Sequence, residues 1–369
     1  MRSVGVEEEL LLVDADTGEP RAVSAAVLAV ASRDAAAGEE QVFESELHRQ
    51  QLEFATRPQT RMEELAAEIR RCRAEAAQHA EDRGVAVAAL ATSPLPVSPS
   101  VAGGRRYHWM AERFGLTAQE QLTCGCHVHV SVDSDEEGVA VLDRIRPWLS
   151  VLIALSANSP FWQGQDSHYS SYRSQVWGRW PSAGPAQIFG SADHYHQQVR
   201  DMIGTGVLRD EGMIYFDARL SHRYPTVEVR VADVCLNPDT TVLLAVLIRG
   251  LVETAARQWR AGAPPARHGE LLLRLAAWQA ARYGLENRLL HPRTMRPAPA
   301  ETVVRALFDH VRGALDDHGD TRPAQEALAG LLRTGNGASL QRAILERAGS
   351  LRDVVTECVH LTRGQRPRP

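Results

Sequence analysis

The chain has no lysine: all 41 basic residues among its 369 are arginine. This absence excludes several ways of handling phosphate and carbonyl groups. A P-loop needs a Gly-Lys-Ser/Thr step to reach the phosphates. Pyridoxal enzymes and Schiff-base aldolases need a lysine amine, and a protein kinase needs the strand lysine that pairs with a helix glutamate. Nucleic-acid ligases that adenylate a lysine are excluded for the same reason. Phosphate chemistry here would fall to arginine, metal ions and backbone N–H groups. The plainest origin of the bias is a GC-rich genome, which favours Arg, Ala, Gly and Pro codons.

Other shortages narrow the class further. Five cysteines (Cys72, Cys124, Cys126, Cys235, Cys358) are an odd number in a long chain, which fits a reduced protein better than a disulfide framework. No apolar run reaches the ~20 residues of a membrane span; the longest, near Val242–Leu251, is interrupted by Arg249. The opening MRSVGVEEELLLVD puts three glutamates where a secretory leader needs an apolar core. With 46 acidic residues against 41 basic ones, the net charge of −5 argues against a partner gripped through its phosphate backbone. The expectation is a cytoplasmic protein acting on small molecules, with neither nucleic acid nor membrane as partner.

What is present reads as α+β. Strands are predicted at residues 3–13, 52–56, 85–90, 122–132 and 224–232 from alternation and β-branched content. Helices are predicted over 60–82, on the stripe Met62, Leu65, Ala66, Ile69 and Cys72; over 139–157, stopped by Asn158-Ser159-Pro160; and from the Asn237-Pro238-Asp239 cap to about Trp259. Residues 161–190 are rich in Trp, Tyr, Gly and Ser without a period, as a lid would be. We expect one catalytic domain over 1–360, strand-rich to about 260 and helical over about 261–355, with a disordered tail at 361–369.

Four places carry chemistry. Glu7 and Glu9 project from one strand face, where their repulsion vanishes if a cation sits between them. Glu46 and Glu53 are seven residues apart, which fits two helical turns or two points on a kinked strand. In Cys124-Gly125-Cys126-His127-Val128-His129, alternation turns the cysteines to one side and the histidines to the other, so a single tetrahedral zinc cannot take all four. Glu228 and Arg230 share the polar face of a strand whose other face is Val227, Val229 and Val231; a solvated ion pair and a carboxylate on metal beside a guanidinium on phosphate both fit. Oxygen-rich clusters on several strands suit Mg²⁺ or Mn²⁺ and phosphoryl transfer.

The segments GVEEELLLVD, ELHRQQLEFAT, GCHVHVSVD, SPFWQGQDSHYSSYRSQVWGRWP, YPTVEVRVAD and AAWQAARYGLENRL follow in that order over roughly residues 3–290. In this the chain resembles the type-two glutamate–cysteine ligases, or ATP-dependent carboxylate–amine ligases. The resemblance implies a glutamine-synthetase-like catalytic fold, a curved, mainly antiparallel sheet with helices behind it. It implies ATP and two or three Mg²⁺, with Mn²⁺ as a substitute, and Glu7, Glu9, Glu46, Glu53, His127 and Glu228 as metal ligands. It gives Glu228 and Arg230 catalytic roles and places Arg230, Arg173, Tyr172 and His129 on nucleotide or substrate. The implied reaction joins a glutamate-like carboxylate to a cysteine-like amine through an acyl phosphate, with weak γ-glutamylcysteine synthesis, in a protein compatible with a homodimer. Two alternatives remain at this stage: a metal-dependent hydrolase built on the His-x-His strand, which tightly bound zinc would mark, and a non-catalytic paralogue, which the intact charged motifs disfavour.

Overall fold

A computed structural model gives the fold and describes residues 1–34 and 42–365. The strands are β1 (Val4–Asp14), β2 (Phe43–Glu44), β3 (Gln51–Ala55), β4 (Val85–Ala88), β5 (Gly125–Ser131), β6 (Phe161–Trp162), β7 (Gln165–Asp166), β8 (Ala218–Leu220), β9 (Thr226–Asp233), β10 (Arg288–Leu290) and β11 (Pro297–Pro299). The helices are α1 (Ser24–Asp34), α2 (Met62–Glu81), α3 (Arg105–Phe114), α4 (Leu116–Gln119), α5 (Asp135–Ile145), α6 (Leu149–Ser156), α7 (Tyr172–Trp177), α8 (Ala192–Gly204), α9 (Pro238–Arg260), α10 (Glu270–Tyr283), α11 (Ala300–Asp316), α12 (Thr321–Thr334), α13 (Gly337–Ala348) and α14 (Leu351–Thr362).

Seven strands form one antiparallel sheet in the order β2-β3-β1-β5-β9-β8, with β4 also on β1. β1 is the hub. Its first half pairs with β5 and its last residues with β4, while β3 takes its middle. The expected α+β arrangement of antiparallel sheet and helices is what the chain adopts. α9 packs behind β1 and β5 and is itself covered by α5, α11 and α12, so Leu243–Ile248 are all buried. A Cβ at Gly250 would lie 2.9 Å from the Val311 side chain; the close α9–α11 crossing therefore needs glycine there.

Local chemistry accounts for the helix ends. Asn237 caps α9 by accepting the N–H of Asp239, with Pro238 in the first turn, as expected. The single helix expected over 139–157 is instead α5, a 3₁₀ turn and α6. Pro147 lacks the N–H and its ring opposes the preceding turn, so the α-helix cannot run through it. The 161–190 segment is not structureless, since it holds the β6–β7 hairpin and α7. Disorder was expected over 361–369, but α14 runs to Thr362, with Leu361 and Thr362 buried; residues 366–369 lie outside the described residues.

One ion pair ties β1 to the helices. Glu8 lies between Glu7 and Glu9 and points to the opposite side, where Arg73 of α2 meets it twice at 2.7 Å. Arg73 also donates to the carbonyls of Cys235, Leu236 and Thr362, and Thr241 donates to Glu8. Neither member of the pair is more than 1% exposed. Removing one partner of such a pair leaves a buried, uncompensated charge. Arg73→Met should therefore cost about 3–5 kcal/mol by denaturant unfolding, while Arg73→Met with Glu8→Leu should cost clearly less than that single change. A double variant as unstable as the sum of its parts would refute this account.

Candidate active site

On the side of the sheet away from Arg73, the strand register stacks three ranks of polar side chains. Glu44 is opposite Glu53, and Glu53 is opposite Glu9, whose carboxylate accepts the Gly125 N–H at 2.7 Å. One rank on, Glu7 is opposite His127. In the next, His129, Glu228 and Arg219 lie side by side on β5, β9 and β8. Between Cys126 and Val128 the register slips, because β9 places two residues, Arg230 and Val231, where β5 places one, His127. Such a bulge re-aims a side chain, and Arg230 lies in it, charged and close enough to influence His127.

The hairpin settles the Glu46–Glu53 ambiguity. Glu53 sits in the middle of β3, and Glu46 sits in the loop between β2 and β3. That loop folds back, so both carboxylates reach one region. Cys124 and Cys126 belong to the packed core behind the sheet, as alternation requires.

The charges fall into two unlike halves. One half is balanced. Glu7 Oε2 lies 3.3 Å from His127 Nδ1, and Glu7 Oε1 lies 3.3 Å from His129 Nε2. Burial favours the neutral form of Glu7, but these two rings outweigh it and hold its carboxyl well below the usual range. Burial likewise opposes charge on Glu228, yet Arg230 and Arg219 hold it ionised. Arg219 is bonded to it at 2.7 Å, and Arg230 contacts its other oxygen. His127 is pushed down by burial and by Arg230. For His129, burial is overcome by Glu7, so the ring titrates above its ordinary value.

The other half is unbalanced. Burial and then Glu9 push Glu46 up to about 8, and burial with Glu46, Glu7 and Glu9 pushes Glu53 well above the carboxylate range. Like charges directly opposite on adjacent strands destabilise a sheet; a cation removes that penalty. Ligand atoms of Glu7, Glu53 and His127 lie within 4.8 Å of one another, as do those of Glu7, His129 and Glu228. His127 Nε2 is buried with no hydrogen-bond partner in the protein. Oxygen-rich donors with one imidazole suit Mg²⁺ or Mn²⁺, so the residues present fit a divalent cation.

Not every expected residue joins these groups. Glu9 and Glu46 act on them through charge but fall in neither close set. Arg173 is 2% exposed and lies against Gly125, where a Cβ would overlap its guanidinium. Its Nε has no partner, and Asp233 is 3.9 Å away. Tyr172 makes its ring contacts with Trp162 and Tyr169. The Trp177 ring lies 5.5 Å from the Arg173 guanidinium carbon and 5.6 Å from that of Arg230, within cation–π range of both. Sequence reasoning missed Arg219, Asp233 and Trp177. A cavity of about 660 Å³ opens behind the sheet between α2, α9 and α12, lined by Met62, Leu243 and Ala327 among others; none of the carboxylate ranks borders it.

The unbalanced half makes stability depend on pH. Glu46 has an ordinary value of 4.5 and a folded value of about 8, and Glu53 moves the same way. The folded state thus keeps protons that the unfolded chain has released. Their stabilisation is full below 4.5 and lost as pH rises through about 8. In chelator, the parent should lose more thermal stability across that window than Glu46→Gln, and Mg²⁺ should restore the parent at the alkaline end. Parallel pH profiles for parent and variant would contradict this.

Residues 3–357 match the family model of glutamate-cysteine ligase family 2. A Streptomyces avermitilis protein provisionally named glutamate--cysteine ligase 2-1 is 69% identical over 99% of this chain and 100% of its own length. A Streptomyces coelicolor protein provisionally named glutamate--cysteine ligase 2 is 66% identical over 98% of this chain and 99% of its own. The crystal structure of a glutamate–cysteine ligase from Francisella tularensis in complex with AMP superposes with a TM-score of 0.68 over 98% of this chain and 88% of that one, at 14% identity, a likeness of fold. On its near full-length match and these relatives, the chain belongs to glutamate-cysteine ligase family 2.

Proposed function

We propose that the chain is an ATP-dependent carboxylate–amine ligase, with glutamate as the carboxylate and a cysteine-like amine as acceptor, giving γ-glutamylcysteine weakly. The observation that carries this is the carboxylate–imidazole ranks set against Arg230 and Arg173 in a chain without lysine. The names of the relatives support it, as does the nucleotide held by the Francisella ligase. Five buried, unpaired cysteines fit a reducing cytoplasm.

Glu7, Glu53 and His127 would hold one divalent cation and Glu7, His129 and Glu228 a second, with Glu9 and Glu46 adding negative charge around them. When bound, two or three Mg²⁺ would supply roughly four to six positive charges against about four on ATP and one on the carboxylate. The substrate carboxylate oxygen attacks the γ-phosphorus in line, and the bond to ADP breaks. Arg230, buried and held in place by Glu228, faces the charge that spreads over the transferring phosphoryl oxygens. The amine nitrogen then attacks the acyl carbon of the acyl phosphate. The carbon–oxygen bond to phosphate breaks, and the nitrogen gives its proton to a base; an amide and inorganic phosphate leave. Arg173, with its Nε unpartnered, suits a substrate carboxylate or a nucleotide phosphate. The 161–190 segment, with Trp177 and Trp180 packed over Arg230, Tyr215 and Phe114, keeps water from the acyl phosphate; Tyr172 helps form that cover.

A matrix of amino acids and amines with ATP and Mg²⁺ should reveal amine-dependent phosphate release. Glu53→Ala and Glu228→Ala should each lower it at least about 100-fold while circular dichroism stays that of the parent. Wild-type turnover in either variant would overturn the metal assignment. No amine-dependent release, together with tightly bound zinc, would favour a hydrolase using His127 and His129.

A further inference from the structure

The cavity behind the sheet takes no part in the chemistry described so far. α2 and α12 each pack on α9, and the cavity lies where they stand apart. Val242, Leu243 and Val246 of α9 line it, with Met62 and Ala66 of α2 on one side and Ala324, Ala327 and Gly330 of α12 on the other. Residues as small as these alanines and the glycine do not fill the space between the helices, which measures about 660 Å³. Small-molecule sites have volumes of ~300–1,000 Å³ and are mainly apolar, with a few placed polar groups.

The charges around the cavity select the class of ligand. The carboxylates and guanidiniums that line it close into three pairs: Arg61 with Glu63 at 2.9 Å, Arg70 with Asp239, and Arg249 with Asp320. Arg249, 2% exposed, also donates to the Thr60 carbonyl. No guanidinium is left over for an anion and no carboxylate for a cation. One polar group is left over. Both ring nitrogens of His318, which lines the Arg249 end, are buried without a hydrogen-bond partner. Burial and Arg249 lower the pKa of the ring and favour its neutral form, which offers one donor and one acceptor. We propose that the cavity binds an uncharged small molecule, with an apolar body between α2 and α12 and one hydrogen-bonding group at the His318 end.

Arg73 joins this cavity to the carboxylate ranks. Cys235 and Leu236 line the cavity, and their carbonyls accept from Arg73. Arg73 follows Arg70 on the same helix and holds Glu8 from behind. A molecule seated between α2 and α9 therefore bears on both sides of the joint that backs Glu7 and Glu9. A cation among those carboxylates fixes β1 and, through Arg73, the α2 wall, so cation and ligand favour each other. This coupling rests on the metal assignment of the ligase reading; the cavity and its ligand do not.

Fluorescence titration of the purified full chain with N-phenyl-1-naphthylamine and with its 8-sulfonate tests the site without reference to activity. The two probes share an apolar body and one N–H, and differ by one negative charge. The uncharged probe should bind once per chain, at least about tenfold more tightly than the sulfonate. Ala327→Trp and Ala66→Phe fill the space from opposite walls. Each should weaken the uncharged probe at least about tenfold with circular dichroism unchanged, and His318→Phe should weaken it at least about threefold. No saturable binding, a sulfonate held as tightly, or affinity unchanged in both wall variants would each overturn the proposal; affinity unchanged in His318→Phe would remove its polar end. In excess Mg²⁺ the parent should hold the uncharged probe at least about fivefold more tightly than in chelator. Equal affinities there would overturn the coupling and leave the ligase reading to its own phosphate-release test.

Discussion

Three consecutive glutamates on β1 impose opposite demands on the two sides of one sheet. Glu8 places its carboxyl group inside the packed layer, so it requires a full set of donors there. Arg73 supplies them and, through the carbonyls of Cys235, Leu236 and Thr362, joins α2, the start of α9 and the end of α14 to the strand. Glu7 and Glu9 then have no freedom of direction, because strand alternation turns them to the other side. Their neighbours on β3, β5 and β9 are brought opposite by register alone. The fold thus supports a concentration of negative charge by fixing its backing strand with a buried cation.

The missing lysine acquires a physical meaning in this setting, even if codon bias produced it. Among the buried cations around β1 and β9 are Arg73, Arg173, Arg219 and Arg230. Guanidinium groups stay charged and offer several donors in one plane. Arg219 uses this to hold Glu228 while also donating to the Ile214 carbonyl, so the strand carboxylate and the preceding turn are set together. An ammonium group could make the charge contact but not the planar fork. Composition drift to arginine is therefore tolerated at these positions without change of chemistry.

Much of this was legible in the sequence because strand alternation is a short-range rule. It placed Glu7 and Glu9 together, separated the cysteines from the histidines on β5, and put Glu228 and Arg230 on one face. Pairing across a hairpin is a longer-range fact. The seven-residue spacing of Glu46 and Glu53 carries no statement that the chain turns back between them. Arg219 was missed for the same reason, since it meets Glu228 only through the β8–β9 turn. Arg73 left a signal that went unread: it interrupts an apolar stripe between Ile69 and Ala76, and a charge on the buried face of a helix requires a partner. Pro147 was likewise visible, but helical periodicity on both sides of it masked the break.

Gly125 shows how the sheet and the aromatic segment depend on each other. Its N–H is bonded to Glu9, and the place of its missing Cβ is filled by the Arg173 guanidinium. Any larger residue would push Arg173 out and disturb the hold on Glu9 at the same time. The segment bearing Arg173 is in turn fixed from below, because Asp233 at the end of β9 accepts from Ser159, Ser171 and the Asn158 N–H. Thus the buried aspartate after the Glu-x-Arg pair and the glycine before the His-x-His pair act on one arginine from two strands. That position does not wait for a ligand to form: the cation is already placed beside the carboxylates, with an unused donor. On the proposed function, a site arranged in this way would stabilise charge as it develops, since little reorganisation would remain to be done when the anion arrives.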